Sequence, residues 1–367
     1  MTYKELFYFT GQCLSLDEHP AFRKTIVQKI LADEIIWERF VQLCSDHLII
    51  PAIYLKFKAH DLLSILPEDL AQVLTEIYKL NRERNAKILL QIDHIAAALL
   101  PEKIVPIFLK GSANLLDGLY SDLGERMMGD IDFLVKEENY IKTAAIMKEM
   151  GYRHEPVNYL DVSRLNHYPR LHRQGFADIE IHRIPVYEKY SISFNANAVF
   201  NHKMEVSGQS KLHVPFDAHK LIHTFIHSQL SDHGHAYKQL SFRDLNDLYL
   251  LSKRIDVSSL VKQTGYRHKA ICWLVFGQRV LGLPGSLYNR ETNRAKWFCW
   301  KYNLALKFIK MYNAYIILKK IIYLILVRYA GSFLKAVFYK DERQFVYNRL
   351  KSPQWYGAHL MSFKEYF

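Results

Sequence analysis

Four acidic residues are spaced in two pairs that suit the binding of a hard metal ion. Asp130 and Asp132 are separated by one apolar residue, and so are Asp178 and Glu180. Side chains at i and i+2 of a β-strand share one face, so each pair can point at the same ion. Mg²⁺ and Mn²⁺ prefer carboxylate oxygens as ligands. The spacing predicts a metal site held by Asp130 and Asp132, with a third carboxylate from the second pair.

The third carboxylate is predicted to be Glu180, with Asp178 as the alternative. Strand alternation puts both on one face, together with His182, and therefore does not decide between them. Glu180 can also act as a base on an acceptor hydroxyl. His182 can orient Glu180, contact a phosphate or simply be buried, and the spacing leaves these three roles open.

A Lys-Gly-Ser turn before the first acidic pair has the features of a phosphate-binding loop. Lys110, Gly111 and Ser112 lie between an apolar run and a helix predicted at 113–120. A helix N-terminus presents free N–H groups to an anion, and glycine allows its close approach. Lys110 and the later Arg126 can neutralise phosphate charge. Joined to the acidic set, the turn predicts transfer of a nucleoside monophosphate from a triphosphate, with two metal ions aligning the reacting oxygens.

The acidic pairs and the Lys-Gly-Ser turn require a β-sheet to position them. Short apolar or alternating runs predict strands at Ile104–Leu109, Asp130–Val135 and Asp178–His182. Pro106 inside the first run cannot donate to a strand ladder, which favours an edge position or a bulge for that strand. Between the second and third strands, Tyr140–Met150 is predicted to be helical.

Helical periodicity dominates the rest of the chain. Apolar residues at three- and four-residue spacing predict helices over Phe22–Cys44 and Leu70–Leu99, and again from Asp217 onward with a break near Pro284. This order predicts an α+β fold, in which a small mixed sheet with flanking helices is embedded between two helical regions. The predicted divisions are an N-terminal helical region at 1–100, an α/β core at 101–210 and a C-terminal helical, basic region at 211–367.

Two further polar groups follow the core. His219, His223 and His227 form one stripe of a predicted helix, which suits zinc binding, packing against the sheet or contact with a nucleotide. Arg243, Asp244 and Asp247 are predicted to form an ion-pair network where the core meets the C-terminal region, rather than a second site.

The run FLKGSANLLDGLYSDLGERMMGDIDFLVKEENY, residues 108–140, resembles the signature of the uncharacterised bacterial nucleotidyltransferase family, within the polymerase-beta-type nucleotidyltransferase superfamily. The residues that match the signature are Lys110, Gly111, Tyr120, Arg126, Asp130 and Asp132. The family's later element of an acidic residue, an aliphatic residue and His resembles Glu180-Ile181-His182. Weaker similarity extends over roughly residues 30–250.

The resemblance implies a metal-dependent transferase of phosphorus-containing groups. Its cofactor would be Mg²⁺ or Mn²⁺, its donor a nucleoside triphosphate such as ATP, and its acceptor a glycan, a peptide or a small molecule. The implied metal-binding and catalytic residues are Asp130, Asp132 and Glu180, and the implied nucleotide-binding residues are Lys110, Gly111, Ser112, Arg126 and His182. Two alternatives stay open: a toxin-like nucleotidyltransferase acting on tRNA, and a non-catalytic nucleotide- or RNA-binding module. The complete acidic set argues against the second.

The net charge of +12 is concentrated at the C-terminal end. Residues 291–367 hold 14 Lys and Arg against four Asp and Glu, a net charge of +10, whereas residues 1–290 carry only +2. Such a segment favours an anionic partner, either a polyanion such as RNA or an acidic membrane surface. A helical surface that merely faces water is the remaining interpretation.

Length and composition indicate a folded protein of a reducing compartment. The 367 residues are 50% apolar, and the four cysteines match neither a zinc site nor a disulfide framework. The most apolar stretch, Ile316–Val327, is interrupted by Lys319 and Lys320 and is too short to span a bilayer. We expect no signal peptide and no transmembrane segment, and hence a cytoplasmic protein that can lie at a membrane surface.

Overall fold

The computed structural model describes residues 1–18, 20–154, 162, 165–191, 194–323 and 330–353, and the elements below belong to these residues. The chain forms two compact units, Met1–Tyr302 and Asn303–Phe367. The strands are β1 (Ile107–Phe108), β2 (Asp130–Leu134), β3 (Asp178–His182), β4 (Lys203–Val206) and β5 (Gln209–Pro215).

The helices that precede β5 are α1 (Tyr3–Leu14), α2 (Pro20–Leu31), α3 (Trp37–Asp46), α4 (Ile50–Ala59), α5 (Glu68–Leu99), α6 (Lys110–Leu116), α7 (Tyr140–Glu149) and α8 (Ala196–Asn201). The helices that follow it are α9 (Asp217–Phe225), which continues as a π-helix (Ile226–Ser231), then α10 (Gly234–Tyr237), α11 (Phe242–Ser252), α12 (Ser258–Gln263), α13 (Arg267–Val280) and α14 (Asn293–Lys307). Three more belong to the second unit, α15 (Ile309–Tyr323), α16 (Gly331–Phe338) and α17 (Lys340–Leu350).

The strands of the described residues form one mixed sheet in the order β3-β2-β1-β5-β4. β1 pairs antiparallel with β2 and parallel with β5, and β2 and β3 run parallel. The α+β class is confirmed. However, β1 lies at the centre of the sheet, so the edge position predicted from Pro106 is wrong. Only Ile107 and Phe108 pair with neighbouring strands, and Pro106 precedes them, so the N–H that it lacks is not needed in the ladder.

The helix predicted over Phe22–Cys44 is divided in the structure. α2 ends at Leu31 and α3 begins at Trp37. Between them Asp33 adopts a φ of 52°, a left-handed conformation that an α-helix does not continue through. The helical periodicity on both sides is correct, because the turn changes the direction of the chain and interrupts the periodicity only briefly.

The hairpin of β4 and β5 was not predicted. It begins with Lys203, Met204 and Glu205, all exposed, and therefore lacks the apolar alternation that indicates a half-buried strand. By contrast, the helix predicted at Leu70–Leu99 lies within α5, and the one predicted at Tyr140–Met150 corresponds to α7. The division at 1–100, 101–210 and 211–367 stays a prediction.

Two asparagines of α5 fix the loop that leads into β2. Asn81 Nδ2 donates to the carbonyl oxygens of Gly124 and Arg126 at 2.7 and 3.1 Å. Asn85 Nδ2 donates to those of Leu123 and Arg126 at 2.7 and 2.8 Å. Both asparagines are buried, and a buried carbonyl that lost its donor would be costly. The long helix therefore sets where the loop runs and where β2 begins.

The second unit is described by its own helices. α15 and α16 carry large apolar side chains that are exposed, including Met311 at 73% and Phe338 at 77%. Part of the apolar stretch singled out in the sequence, 324–327, lies outside the described residues. No described helix combines the length and the hydropathy needed to cross a membrane.

Three histidines in the first unit make the stability of the fold depend on pH. Burial lowers the pKa of His47, His219 and His235 to about 4, from an ordinary value of 6.5. Between these two values the unfolded chain binds more protons than the native protein does. Because protons then favour the unfolded chain, stability falls as the pH drops from 6.5 toward 4.

Replacing His219 by Phe should weaken this pH dependence. Phe keeps an aromatic ring against Phe194 and Phe216 but binds no proton. We expect the urea midpoint to fall between about pH 7 and pH 5 in the wild type, and to fall less in the variant. The matched control, His94→Gln on the exposed side of α5, should behave as the wild type. An unchanged pH dependence in His219→Phe would contradict the lowered pKa of His219.

Candidate active site

The carboxylate of Asp132 is the centre of the site. Its Oδ1 accepts a hydrogen bond from Lys110 Nζ at 2.6 Å and lies 2.9 Å from His182 Nε2. Asp132 is only 3% exposed. Burial by itself would raise the pKa of Asp132, but the Lys110 ammonium and the hydrogen bond with His182 hold it well below its usual value. Asp132 is therefore an anion at neutral pH.

Lys110 reaches Asp132 from an uncommon backbone conformation. It is the first residue of α6, two residues after the end of β1, and its φ of 51° lies in the left-handed region that non-glycine residues rarely adopt. The N–H of Leu109 donates to the carbonyl oxygen of Asp132 at 2.9 Å and fixes the chain just before it. Backbone strain of this kind persists where the surroundings impose it, and it concentrates at active sites and ligand clamps.

Glu180 and Asp130 both bind the guanidinium of Arg170. β2 and β3 pair with Asp132 opposite Glu180. Glu180 Oε1 accepts from Arg170 Nε and Nη2 at 3.0 and 2.7 Å, and the same Nη2 donates to Asp130 Oδ2 at 2.9 Å. Burial, followed by the charges of Asp132 and Glu180, raises the pKa of Asp130. The structure therefore gathers three of the predicted carboxylates into one negatively charged region.

Asp132, Glu180 and His182 can offer ligand atoms to one metal ion. Such atoms of the three residues all lie within 4.8 Å of one another, and all three residues are buried. Two carboxylate oxygens and an imidazole nitrogen are donors that divalent first-row ions accept, and Mg²⁺ binds the oxygens of such sets. The residues present therefore fit a divalent metal.

Asp178, the alternative third carboxylate, lies outside this group. Its Oδ1 is 2.8 Å from His172 Nδ1, and its side chain is 30% exposed. In the β-ladder Asp178 pairs with Asp130, whereas Glu180, two residues along β3, pairs with Asp132. Of the two alternatives, the structure brings Glu180 next to Asp132.

Arg126, a predicted phosphate ligand, lies in a separate network. Its Nε donates to both carboxylate oxygens of Asp247 at 3.0 Å, and the hydroxyl of Tyr120 donates to Asp247 Oδ1 at 2.7 Å. Arg126 is 8% exposed. Of the three residues predicted to form an ion-pair network, Arg243 lies 3.9 Å from Asp244, whereas Asp247 pairs with Arg126. A contact between Arg126 and a triphosphate stays a prediction.

Gly111 and Ser112 are buried beside Lys110. A Cβ on Gly111 would come within 2.9 Å of both Arg126 Nη1 and Met128 Sδ, so a side chain at this position would displace its neighbours. Ser112 Oγ has no hydrogen-bond partner among the described residues. The glycine allows close packing of α6, and a role of either residue in phosphate binding stays a prediction.

A cavity of about 150 Å³ opens beside the carboxylates, and we call it the site cavity. Lys110, Glu180 and His182 line it together with His223 and His227, two members of the histidine stripe. Burial holds the pKa of His223 well below its usual value, so this ring is neutral at pH 7. His223 lies in α9, and His227 lies in the π-helix that continues it, a rare form that is frequent at functional sites. The cavity thus has anionic, cationic and neutral polar walls.

Sequence reasoning missed Arg170. Leu171 bridges Ile179 in an antiparallel sense, and this pairing brings the preceding Arg170 opposite Glu180. The segment before β3 is rich in His, Tyr and Arg, but it has no alternation that would indicate a strand. No pattern in the sequence therefore distinguishes this arginine from its neighbours.

Comparison with known protein families identifies the family of the chain. The model of the family described as "Uncharacterised nucleotidyltransferase" matches residues 33–268. The chain belongs to this nucleotidyltransferase family. It is therefore an enzyme of the class that transfers phosphorus-containing groups, and all the site residues described above fall within the matched range. No curated protein and no solved structure matched the chain.

Replacing Asp247 by Asn should destabilise this nucleotidyltransferase strongly. The Arg126 guanidinium would stay buried without a negative partner, and breaking a buried ion pair in this way costs about 3–5 kcal/mol of unfolding free energy. Urea unfolding followed by circular dichroism measures the loss. The control Asp244→Asn, whose carboxylate lies 3.9 Å from Arg243, should lose about 1 kcal/mol or less. A stable Asp247→Asn protein that no longer binds triphosphate would indicate that Arg126 serves the ligand instead.

Proposed function

We propose that this nucleotidyltransferase moves a nucleoside monophosphate from a triphosphate such as ATP to an acceptor, with Mg²⁺ or Mn²⁺ as its cofactor. The observation that carries the proposal is the buried group of Asp132, Glu180 and His182, with Asp130 beside it, in a member of a nucleotidyltransferase family. Acidic side chains are rarely buried unless they are paired or bind a cation. Here Glu180 and His182 of the group line a cavity.

Asp130, Asp132 and Glu180 are the proposed metal ligands. When bound, the metal supplies charge neutralisation and alignment for the transferred phosphoryl group. Asp132 is held as an anion by Lys110 and His182, so it is ready to bind a cation. His182 lies between Asp132 at 2.9 Å and Glu180 at 3.7 Å, which suits it to orient both carboxylates or to serve as a ligand itself.

Lys110 and Arg170 are the proposed partners of the triphosphate. Lys110 lines the site cavity. Burial by itself would lower the pKa of its ammonium, but the nearby carboxylates, Asp132 first, raise that pKa, so Lys110 is charged at neutral pH. Arg170 is 48% exposed while it bridges Asp130 and Glu180, so part of its guanidinium faces solvent. A guanidinium forms paired hydrogen bonds to phosphate oxygens. We propose that these cations hold the triphosphate, together with Gly111 and Ser112 in the first turn of α6.

Glu180 is the proposed base for the acceptor. It is the carboxylate of the buried group that lines the site cavity, so an acceptor hydroxyl that enters the cavity meets it. Taking the proton from that hydroxyl would make its oxygen a nucleophile toward the α-phosphate. The family match leaves the acceptor open among a glycan, a peptide, a small molecule and RNA. The four buried free thiols suit the reducing cytoplasm that we propose as the enzyme's compartment.

The carboxylates provide the test. Asp130→Asn, Asp132→Asn and Glu180→Gln should each abolish transfer of label from α-³²P-labelled triphosphate in the presence of Mg²⁺, because each removes a negative charge but keeps the shape of the side chain. Asp178→Asn is the matched control, since its carboxylate pairs with His172 outside the group. Binding of Mn²⁺, measured by electron paramagnetic resonance, should weaken at least ten-fold in the first three proteins and stay unchanged in the control.

Two results would contradict the proposal. One is metal-dependent transfer that survives in both aspartate variants. The other is loss of Mn²⁺ binding in Asp178→Asn but not in Glu180→Gln, which would exchange the roles of these two residues.

A further inference from the structure

A second and larger cavity lies in the first unit, and its walls are strongly basic. It measures about 620 Å³, within the range of about 300–1,000 Å³ that holds drug-sized ligands. Its cations are Lys238, Arg267, Lys269, Arg294 and Lys301. Among the described residues that line it there is no Asp or Glu. We call it the basic pocket.

Four of the five cations of the basic pocket have no carboxylate partner among the described residues. Within the part of the chain that the structure describes, Arg267, Lys269, Arg294 and Lys301 form no salt bridge. Arg267 begins α13, and Arg294 lies in the first turn of α14, so the N-termini of two long helices add their positive ends to this wall. The pocket therefore attracts an anion with several charges.

An aromatic pair stands at the same wall. Trp297 and Trp300 are stacked, with ring centroids 4.7 Å apart and an angle of 11° between the planes. They are 55% and 53% exposed, although tryptophan is usually much more buried. The Lys301 ammonium lies 4.9 Å from the Trp297 ring centroid, so a cation and an aromatic face are offered together. A ligand with both phosphates and flat rings matches such a surface.

The basic pocket adjoins the site cavity along the chain. Asp232 lines the site cavity and His235 lines the basic pocket, and three peptide links separate their Cα atoms by at most about 11 Å. A second connection comes from Tyr266 of the basic pocket, whose hydroxyl donates to the Lys189 carbonyl oxygen at 2.9 Å. Lys189 is two residues after Tyr187, which lines the site cavity. A ligand held in one cavity thus lies close to the other.

We propose that the basic pocket is the acceptor site and that the acceptor is a single-stranded nucleic acid. Basic grooves that also carry aromatic side chains bind single strands, because phosphates meet the cations and bases stack on the rings. An acidic glycan or a phospholipid headgroup has no flat ring to place on Trp297. A small neutral acceptor needs no cluster of cations. The inference rests on the transfer reaction proposed above, to which it adds the substrate class.

Binding of an oligonucleotide tests the pocket without using the reaction. We would titrate the full chain into a fluorescein-labelled ten-nucleotide RNA, without triphosphate or metal, and follow fluorescence anisotropy over a range of salt concentrations. Arg267→Glu/Arg294→Glu should weaken binding at least ten-fold and flatten the slope of log affinity against log salt by about 0.7 for each phosphate that the variant no longer neutralises. Trp297→Ala should weaken binding about 5- to 150-fold, because a base can no longer stack on the indole ring.

The controls separate the pocket from charge in general. Lys24→Glu/Lys87→Glu makes the same change in net charge on exposed residues of α2 and α5, and it should bind the RNA as the wild type does. All the substituted residues are exposed, so thermal melts should show that the variants remain folded. Polyphosphate of matched charge should compete much less well than unlabelled RNA, because it lacks bases.

Three outcomes would overturn the proposal. Equal weakening in the control pair would mean that RNA senses only net charge. Unchanged binding in Trp297→Ala, or equal competition by polyphosphate, would show that the pocket binds any polyanion and does not recognise bases. In the third, the wild type binds the RNA but transfers label from triphosphate to a different acceptor. This last result would contradict the acceptor assignment. It would not contradict the proposed transfer reaction, which the carboxylate variants test separately.

Discussion

The structure depends first on the burial of one carboxylate, that of Asp132. A buried charge costs several kcal/mol unless partners replace the lost water. Here the partners come from different elements: Lys110 follows β1, and His182 ends β3, on either side of Asp132 in β2. The three strands must therefore assemble in this order for the charge to be tolerated. The same contacts that compensate its burial hold it as an anion beside Glu180 and His182, which line the site cavity. A metal ligand has to be such an anion.

A second buried ion pair, that of Arg126 and Asp247, fixes the loop that leads into β2. Arg126 and Asp247 join that loop to α11, while Asn81 and Asn85 join it to α5. Arg126 Nη1 also lies close to the position that a side chain on Gly111 would need. Arg126, which matches the family signature, can thus serve the site through packing. Measurements of stability separate this structural role from phosphate binding more clearly than measurements of activity alone.

Much of the site could be predicted because it depends on strand alternation. The i and i+2 spacing placed Asp130 and Asp132 on one strand, and it gave Glu180 and His182 a common face. It could not tell Glu180 from Asp178, since the choice depends on which residue the parallel register sets beside Asp132. Arg170 could not be predicted for a similar reason, because an isolated bridge between Leu171 and Ile179, and no strand pattern in the sequence, places it beside Glu180. The edge position predicted from Pro106 was wrong because a proline is excluded only from paired positions. The central strand β1 pairs through just two residues, and Pro106 is not one of them.

One segment of chain connects the two cavities, and its chemistry explains how opposite charges can lie so near each other. The acidic group would repel a polyanion, whereas the basic pocket would hold one. Between them the chain runs from His223 through the π-helix to His235, and burial keeps both of these rings neutral at pH 7. Asp232 is the one acidic residue of this segment, and its Oδ2 lies 3.1 Å from His227 Nδ1. The segment therefore places a single carboxylate between the acidic group and the cations of the basic pocket. An anionic acceptor can then be held by its phosphates in the basic pocket while only its reacting end enters the site cavity.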